Sequence, residues 1–304
     1  MKKFFLLMSV VITSFLMSAC NPFTEETEQE RQNRLNEQEI LDYLQANNLT
    51  AQQTDNGLYY IINKPNAAGQ VPELGDLAEM HYVGSLLSGT IVDSTSPFLN
   101  EPKTFIFDNI PNASEVLFGI ESVASFLKEG EEATLLLPSR LAFGRLSNST
   151  LPPYSVVRYD ISSFIVKTEQ EQITEFIAND TLTNYQGIDS VLTAYITQIP
   201  DSQGAKVAAP DSIVTVSYTG RFLNGTIFDS NDDFSFTVRS KDNRNIADVI
   251  EGWDRALNGM KVGEKKRILL FSDLAYGAQG NTAGSSNIGP YTVLWFDIEL
   301  KDVN

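Results

Sequence analysis

The chain repeats itself. His81-Tyr82-Val83-Gly84, followed by Ser88-Gly89-Thr90-Ile91-Val92-Asp93-Ser94, returns 136 residues later as Ser217-Tyr218-Thr219-Gly220, followed by Asn224-Gly225-Thr226-Ile227-Phe228-Asp229-Ser230. Downstream, Leu141-Ala142-Phe143-Gly144 is answered by Leu274-Ala275-Tyr276-Gly277, and upstream Ile40 to Asn47 is echoed by Ile173 to Asn179 with a small gap. Two copies at this spacing mean a duplicated domain and not a solenoid of short units. A chain of 304 residues with 42% hydrophobic content can bury two ordinary cores, as a duplication requires. The sequence divides into a targeting segment at 1–19, an acidic tether and helix at 20–54, a first domain at 55–167, a linking helix at 168–190 and a second domain at 191–304.

Within each copy the local pattern is mostly strand. Residues 213–218 alternate apolar and polar, Asn224-Gly225 is a hairpin turn signal, and residues 234–238 alternate again. Val249, Ile250, Trp253 and Leu257 stand at helical spacing and predict a helix over 247–257, and further strands are expected at 266–271 and 291–300. One short helix among antiparallel strands predicts the α+β class: two domains, each an antiparallel half-barrel sheet wrapped on a short helix, with connecting helices. Leu35, Ile40, Leu41, Tyr43 and Leu44 predict an amphipathic helix ending near Asn47-Asn48, a spacer or packing arm that follows a solvated acidic stretch over 21–38.

The N-terminus reads as a signal peptide, with Lys2 and Lys3 as a basic start, an apolar stretch from Phe4 to Phe15, and Met17-Ser18-Ala19 as small residues before a cleavage point. The only cysteine, Cys20, follows at once, a placement that resembles the lipobox of bacterial lipoproteins, with Met17 where that pattern usually has leucine. The resemblance implies lipidation at Cys20 and a protein anchored to a membrane of the bacterial cell envelope, exposed to the periplasm or the cell surface. A net charge of −17 argues against nucleic acid as a partner, since nonspecific binding needs a basic footprint. The one short basic run, Lys265-Lys266-Arg267, is expected on one face of a strand.

Five blocks of the second copy, in order, resemble the FKBP-type peptidyl-prolyl cis–trans isomerases: residues 216–220, 225–230, 249–253, 274–277 and 294–300. The tandem arrangement and the acidic leader are also similar to envelope-anchored isomerases associated with gliding motility. The resemblance implies that Trp253 floors a proline pocket, with Tyr218, Phe236 and Phe296 as walls and Phe228 beside them. It further implies that Val249 and Ile250 line the rim, with the Ile250 N–H holding a substrate carbonyl. Tyr276 would donate its hydroxyl to another carbonyl, and Asp229 would present a carboxylate near the twisting amide. Read singly, each residue also fits a plain structural role, a core aromatic for Trp253 or a turn for Asp229. Partners implied are proline-containing polypeptides and macrolide inhibitors.

The chemistry needs no more than such a pocket. Amide resonance sets a rotation barrier of about 18–20 kcal/mol, and a thousandfold acceleration requires only about 4 kcal/mol. The twisted amide loses the charge separation of the planar form, so a dry apolar site favours it over the ground state. No cofactor or metal is expected. With His81 as the single histidine and one cysteine, neither a zinc site nor a Ser-His-Asp triad can be assembled. The segment 231–233 of the second copy lacks the arginine that many family members pair with the pocket aspartate, and the loop at 277–289 reads as a flap and not a phosphate cradle. The first copy keeps Tyr82 and Asp93 but has Val92, Ile120 and Phe143 where the second has Phe228, Trp253 and Tyr276, which predicts a folded copy with weak or no activity. A binding lipoprotein that holds proline-bearing partners without turnover is the alternative to an isomerase.

Overall fold

The computed structural model describes residues 26–95, 101–108, 118–188, 191–200, 205–239, 249–282 and 287–304. Residues 1–19, expected to be a signal peptide, and Cys20 lie outside these residues. Among the described residues no helix is long and apolar enough to cross a membrane.

The first half runs from helix α1 (Glu28–Ala46) through β1 (Gln52–Gln53), β2 (Tyr59–Lys64), β3 (Leu77–Leu86), β4 (Ile91–Ser94) and β5 (Lys103–Ile106). A short helix α2 (Phe118–Glu121), β6 (Glu132–Leu137) and β7 (Val157–Lys167) complete it. The second half repeats the order with α3 (Glu169–Asn179), β8 (Gln186–Ile188), β9 (Val191–Thr197), β10 (Ile213–Phe222), β11 (Ile227–Thr237), α4 (Glu251–Leu257), β12 (Lys265–Leu270) and β13 (Leu294–Val303). The sheets have the same topology, β1-β2-β6-β7-β3-β4 with β5 also paired to β3, and β8-β9-β12-β13-β10-β11 read from the matching edge. Strands β4 and β5 together thus take the place of the single strand β11. The expected α+β class, two antiparallel sheets each with a short helix, is what the chain forms.

Alternation explains the layering. Along β10, Val214 and Val216 are fully buried while Ile213 is exposed, and the strand's inward positions continue through Tyr218 and Gly220. Inward residues of β10, β11, β12 and β13 meet α4 in one core that includes Trp253, Leu257, Ile268, Phe296 and Ile298. The first half builds the equivalent core around Met80, Tyr82, Ile120, Leu135 and Tyr159.

Each sheet carries its leading helix on the other face. Helix α1 sets Ile40 and Leu44 against Tyr59, Leu136 and Val156, so the polar leader becomes helical from Glu28 and docks, which corrects the solvated stretch expected to run to residue 38. Helix α3 buries Ile173 and rests Phe176 on Trp295 at 5.5 Å between ring centroids. Both helices begin on a reciprocal cap, Thr27 with Glu30 and Thr168 with Glu171. The linking segment is helical only to Asn179; residues 186–188 form a strand of the second sheet.

Two further expectations change. The helix of the second copy starts at Glu251 and not near residue 247, because Ile250 is extended (φ −64°, ψ 147°) and serves as its cap. The basic run does not share a face: Lys266 is 2% exposed and points into the core, while its neighbours Lys265 and Arg267 alternate away from it. The halves touch where Gly75 (φ +95°) lies under the Tyr291 ring, a Cβ at Gly75 falling 3.2 Å from Tyr291 Cδ1.

Candidate active site

Helix α4 places one indole at the centre of the second core. Trp253 is 4% exposed and its backbone N–H donates to Ile250 O at 3.1 Å, which fixes the first turn. Around the indole stand Tyr218 of β10 at 4.7 Å between centroids, Phe296 of β13 at 5.3 Å, and Phe236 and Phe234 of β11 at 5.8 and 6.2 Å. The Tyr218 and Phe296 contacts are edge-to-face, which turns positive ring edges toward negative ring faces. Phe228 joins through Phe296, 5.5 Å away and perpendicular to it. This packing requires a glycine at 220, since a Cβ there would fall 2.7 Å from both Phe228 Cζ and Phe296 Cε1.

A polar edge closes the aromatic cluster. The Tyr218 hydroxyl donates to Asp229 Oδ2 at 2.6 Å, and Asp229 Oδ1 accepts the Ser230 N–H at 2.9 Å. Tyr218 is thus a side-chain partner of Asp229, and the adjoining segment 231–233 has no arginine. Burial, and then the hydrogen bond and negative charge of Asp229, push the Tyr218 phenol up, so it remains a protonated donor across the physiological range. Asp229 itself is exposed, at the mouth of the cluster.

Val249 and Ile250 are partly buried against the same core. The Val249 carbonyl accepts from Arg239 Nη2 at 3.2 Å, and Arg239 is also paired with Asp254 of α4 (N–H to Oδ1, 2.8 Å; side chains 3.4 Å). Among the described residues no backbone carbonyl takes the Ile250 N–H. Tyr276, also partly buried against the core, follows the 3-10 turn Ser272–Leu274. The next residue, Gly277 (φ +57°), accepts the Tyr291 N–H at 2.9 Å and so closes the base of the flap.

The structure thus gathers Tyr218, Phe228, Asp229, Phe236, Val249, Ile250, Trp253, Tyr276 and Phe296 in one region. Sequence reasoning placed neither Phe234 nor Phe222 among the site residues. Phe234 packs on Tyr218 at 5.9 Å, and Phe222 lies 5.2 Å from Phe228. The signal for Phe222 was period two: Val216, Tyr218, Gly220 and Phe222 share one face of β10.

The first copy keeps the polar edge and replaces the floor. The Tyr82 hydroxyl donates to Asp93 Oδ2 at 2.8 Å. Ile120, at the position of Trp253, is fully buried, and Tyr159, at the position of Phe296, is 0% exposed and meets Tyr82 edge-on at 5.2 Å. Burial pushes the Tyr159 phenol up, with Asp93 and Tyr82 adding to it, so its hydroxyl stays protonated beneath the cluster. Lys103 pairs across from Met80 as Phe234 does from Val216, and its ammonium reaches Glu121 of α2 at 3.6 Å. Where the second copy has an aromatic wall, the first has an ion pair.

Comparison with known proteins finds both copies. Human peptidyl-prolyl cis-trans isomerase FKBP9 is 25% identical over 240 residues, 79% of this chain and 37% of that protein. The macrophage infectivity potentiator of Trypanosoma cruzi is 38% identical over 106 residues, 35% of this chain and 50% of that protein. FK506-binding protein 2 of Dictyostelium discoideum is 36% identical over 109 residues, 34% of this chain and 74% of that protein. The chain thus spans half or less of the length of the first two. The family model described as FKBP-type peptidyl-prolyl cis-trans isomerase matches twice, over residues 69–163 and 204–301, once on each sheet and short helix. On those two matches, the chain belongs to the FKBP-type peptidyl-prolyl cis-trans isomerase family.

Proposed function

We propose that the second domain catalyses cis–trans isomerisation of X–Pro bonds, and that its substrates are exported or envelope proteins. One observation carries this reading: the indole of Trp253 is buried beneath Tyr218, Phe236 and Phe296, so a proline ring entering from above rests on an apolar floor. Phe236 at 4% and Phe296 at 2% exposure keep water from the walls, and such a site favours the twisted amide over the planar one. Tyr276 and the Ile250 N–H supply donors for the carbonyls flanking proline, while the Tyr218 and Asp229 pair holds the open edge. The same floor accommodates macrolide ligands of the kind the name of FK506-binding protein 2 records for that relative.

The first domain, without the indole and with Lys103 and Glu121 in its wall, contributes weak isomerisation or none. We also assign residues 1–19 to export and Cys20 to lipid attachment in a bacterial envelope; this rests on the sequence alone, and Cys20→Ser should abolish incorporation of labelled palmitate in a bacterial host.

The activity test uses a proline peptide and the full chain. Trp253→Leu, which keeps the site apolar but removes the flat floor, should lower kcat/KM about tenfold or more. Tyr276→Phe should lower it by about three- to tenfold, and the double variant by about thirtyfold or more. A parent chain with no activity would sink the enzyme reading in favour of a binding protein, and a double variant as fast as the parent would move the activity to the first domain.

A further inference from the structure

The turn that brings Tyr276 to the pocket is held from outside the region the family model covers. Ser272 opens that turn and is 4% exposed. Its backbone N–H donates to Glu169 Oε2 at 2.8 Å and its hydroxyl donates to Glu169 Oε1 at 2.6 Å, across a separation of 103 positions. Glu169 is the first residue of α3, where the unpaired N–H groups of the helix start favour a carboxylate. From Ser272 the chain has little freedom before Tyr276. Leu274 is 5% exposed in the core, its N–H donates to Phe271 O at 3.1 Å, and the Ala275 N–H donates to Ser272 O at 3.0 Å.

The first copy makes the same connection with weaker chemistry. Asn36 of α1 accepts the Ser139 N–H at 2.8 Å and donates to Tyr154 O at 2.9 Å. The Ser139 hydroxyl is buried and finds no partner among the described residues. A neutral amide thus takes one donor from the serine where, in the second copy, a carboxylate takes two, and hydrogen bonds to a charged group are the stronger kind. The stronger hold falls on the copy whose turn leads to a tyrosine; in the other copy the turn leads to Phe143.

We propose that Glu169 is a positioning residue for Tyr276: the α3 carboxylate fixes the Ser272–Leu274 turn and thereby the phenol that faces the substrate, making the linking helix part of the isomerase unit. This rests on reading the second domain as the isomerase. The test is a double-mutant cycle in the full chain, following kcat/KM for a proline peptide. Glu169→Ala should lower it about five- to tenfold, and Glu169→Gln, which keeps one acceptor oxygen, about two- to threefold. In a Tyr276→Phe background Glu169→Ala should cost less than about twofold. Equal losses in both backgrounds would show a merely structural role and overturn the proposal. Amide hydrogen exchange is the second readout: Glu169→Ala should speed exchange over Ser272 to Gly277 and leave β13 unchanged. Exchange that is unchanged over the turn, or faster throughout the domain, would also overturn it. If the parent isomerises nothing, the enzyme reading fails on its own, while exchange still decides whether Glu169 holds the turn.

Discussion

Lys266 occupies a place that charged side chains seldom take. It is 2% exposed beneath α4, with its ammonium 3.3 Å from Ala256 O and 4.8 Å from the centre of the Tyr195 ring. Burial pulls its pKa below the ordinary lysine value, only partly offset by Glu264. In the unfolded chain the proton is held up to about pH 10.4, so between the lowered folded value and that pH the unfolded state binds more protons and stability rises with pH. Lys266→Met should therefore stabilise the protein by about 1–2 kcal/mol near neutral pH. The gain should shrink as pH climbs toward the unfolded value, and thermal midpoints of both proteins across that range check it. At this scale the sequence disclosed residues whose meaning lies in local spacing. Tyr218, Asp229, Trp253 and Tyr276 sit in short blocks that can be read as they stand. Phe222 and Phe234 could not be weighed without the register that carries them to Phe228 and Tyr218. Glu169 gave no signal, because its partner is 103 positions away.

At the scale of elements, the leading helices are docked parts of the domains they precede. Asn36 bridges α1 to the 3-10 turn Ser139–Leu141, and Ser139 is 0% exposed, so Asn36→Ala leaves a buried N–H without a partner. The expected loss is about 2–3 kcal/mol of stability in the first domain, and Asn36→Asp, which keeps the acceptor for Ser139 but turns a buried carboxylate oxygen toward Tyr154 O, should lose at least as much. Chemical unfolding followed by a first-domain probe measures both. The sequence showed that helices would lie near Ile40 and Ile173, because their apolar positions repeat. It placed the start of α4 too early, since Val249 and Ile250 fit a helical period while the Ile250 backbone stays extended and caps the helix, with Arg239 bound to the Val249 carbonyl. Nor could it show that α1 begins as far back as Glu28, where capping by Thr27 and Glu30 outweighs a polar composition.

Across the whole molecule, the duplication made the topology legible, because one copy's strands could be checked against the other's. The contact between copies was not legible, since nothing repeats there. Gly75 adopts φ +95° under the Tyr291 ring, so Gly75→Ala adds both backbone strain and a clash and should cost about 1–3 kcal/mol. If the clash matters, Tyr291→Ala should recover part of that cost in thermal unfolding. Full cost in both backgrounds would leave strain as the sole cause. The paired caps at Thr27 and Thr168 have a practical bearing on how this protein is dissected. Each opens a segment that leads from a helix into its own sheet, so the seam of the molecule lies just ahead of Thr168. A fragment cut at the family boundary near residue 204 would discard β8, β9 and the helix that grips Ser272. One cut ahead of Thr168 would carry its own leading helix, both outer strands and the Glu169 clamp.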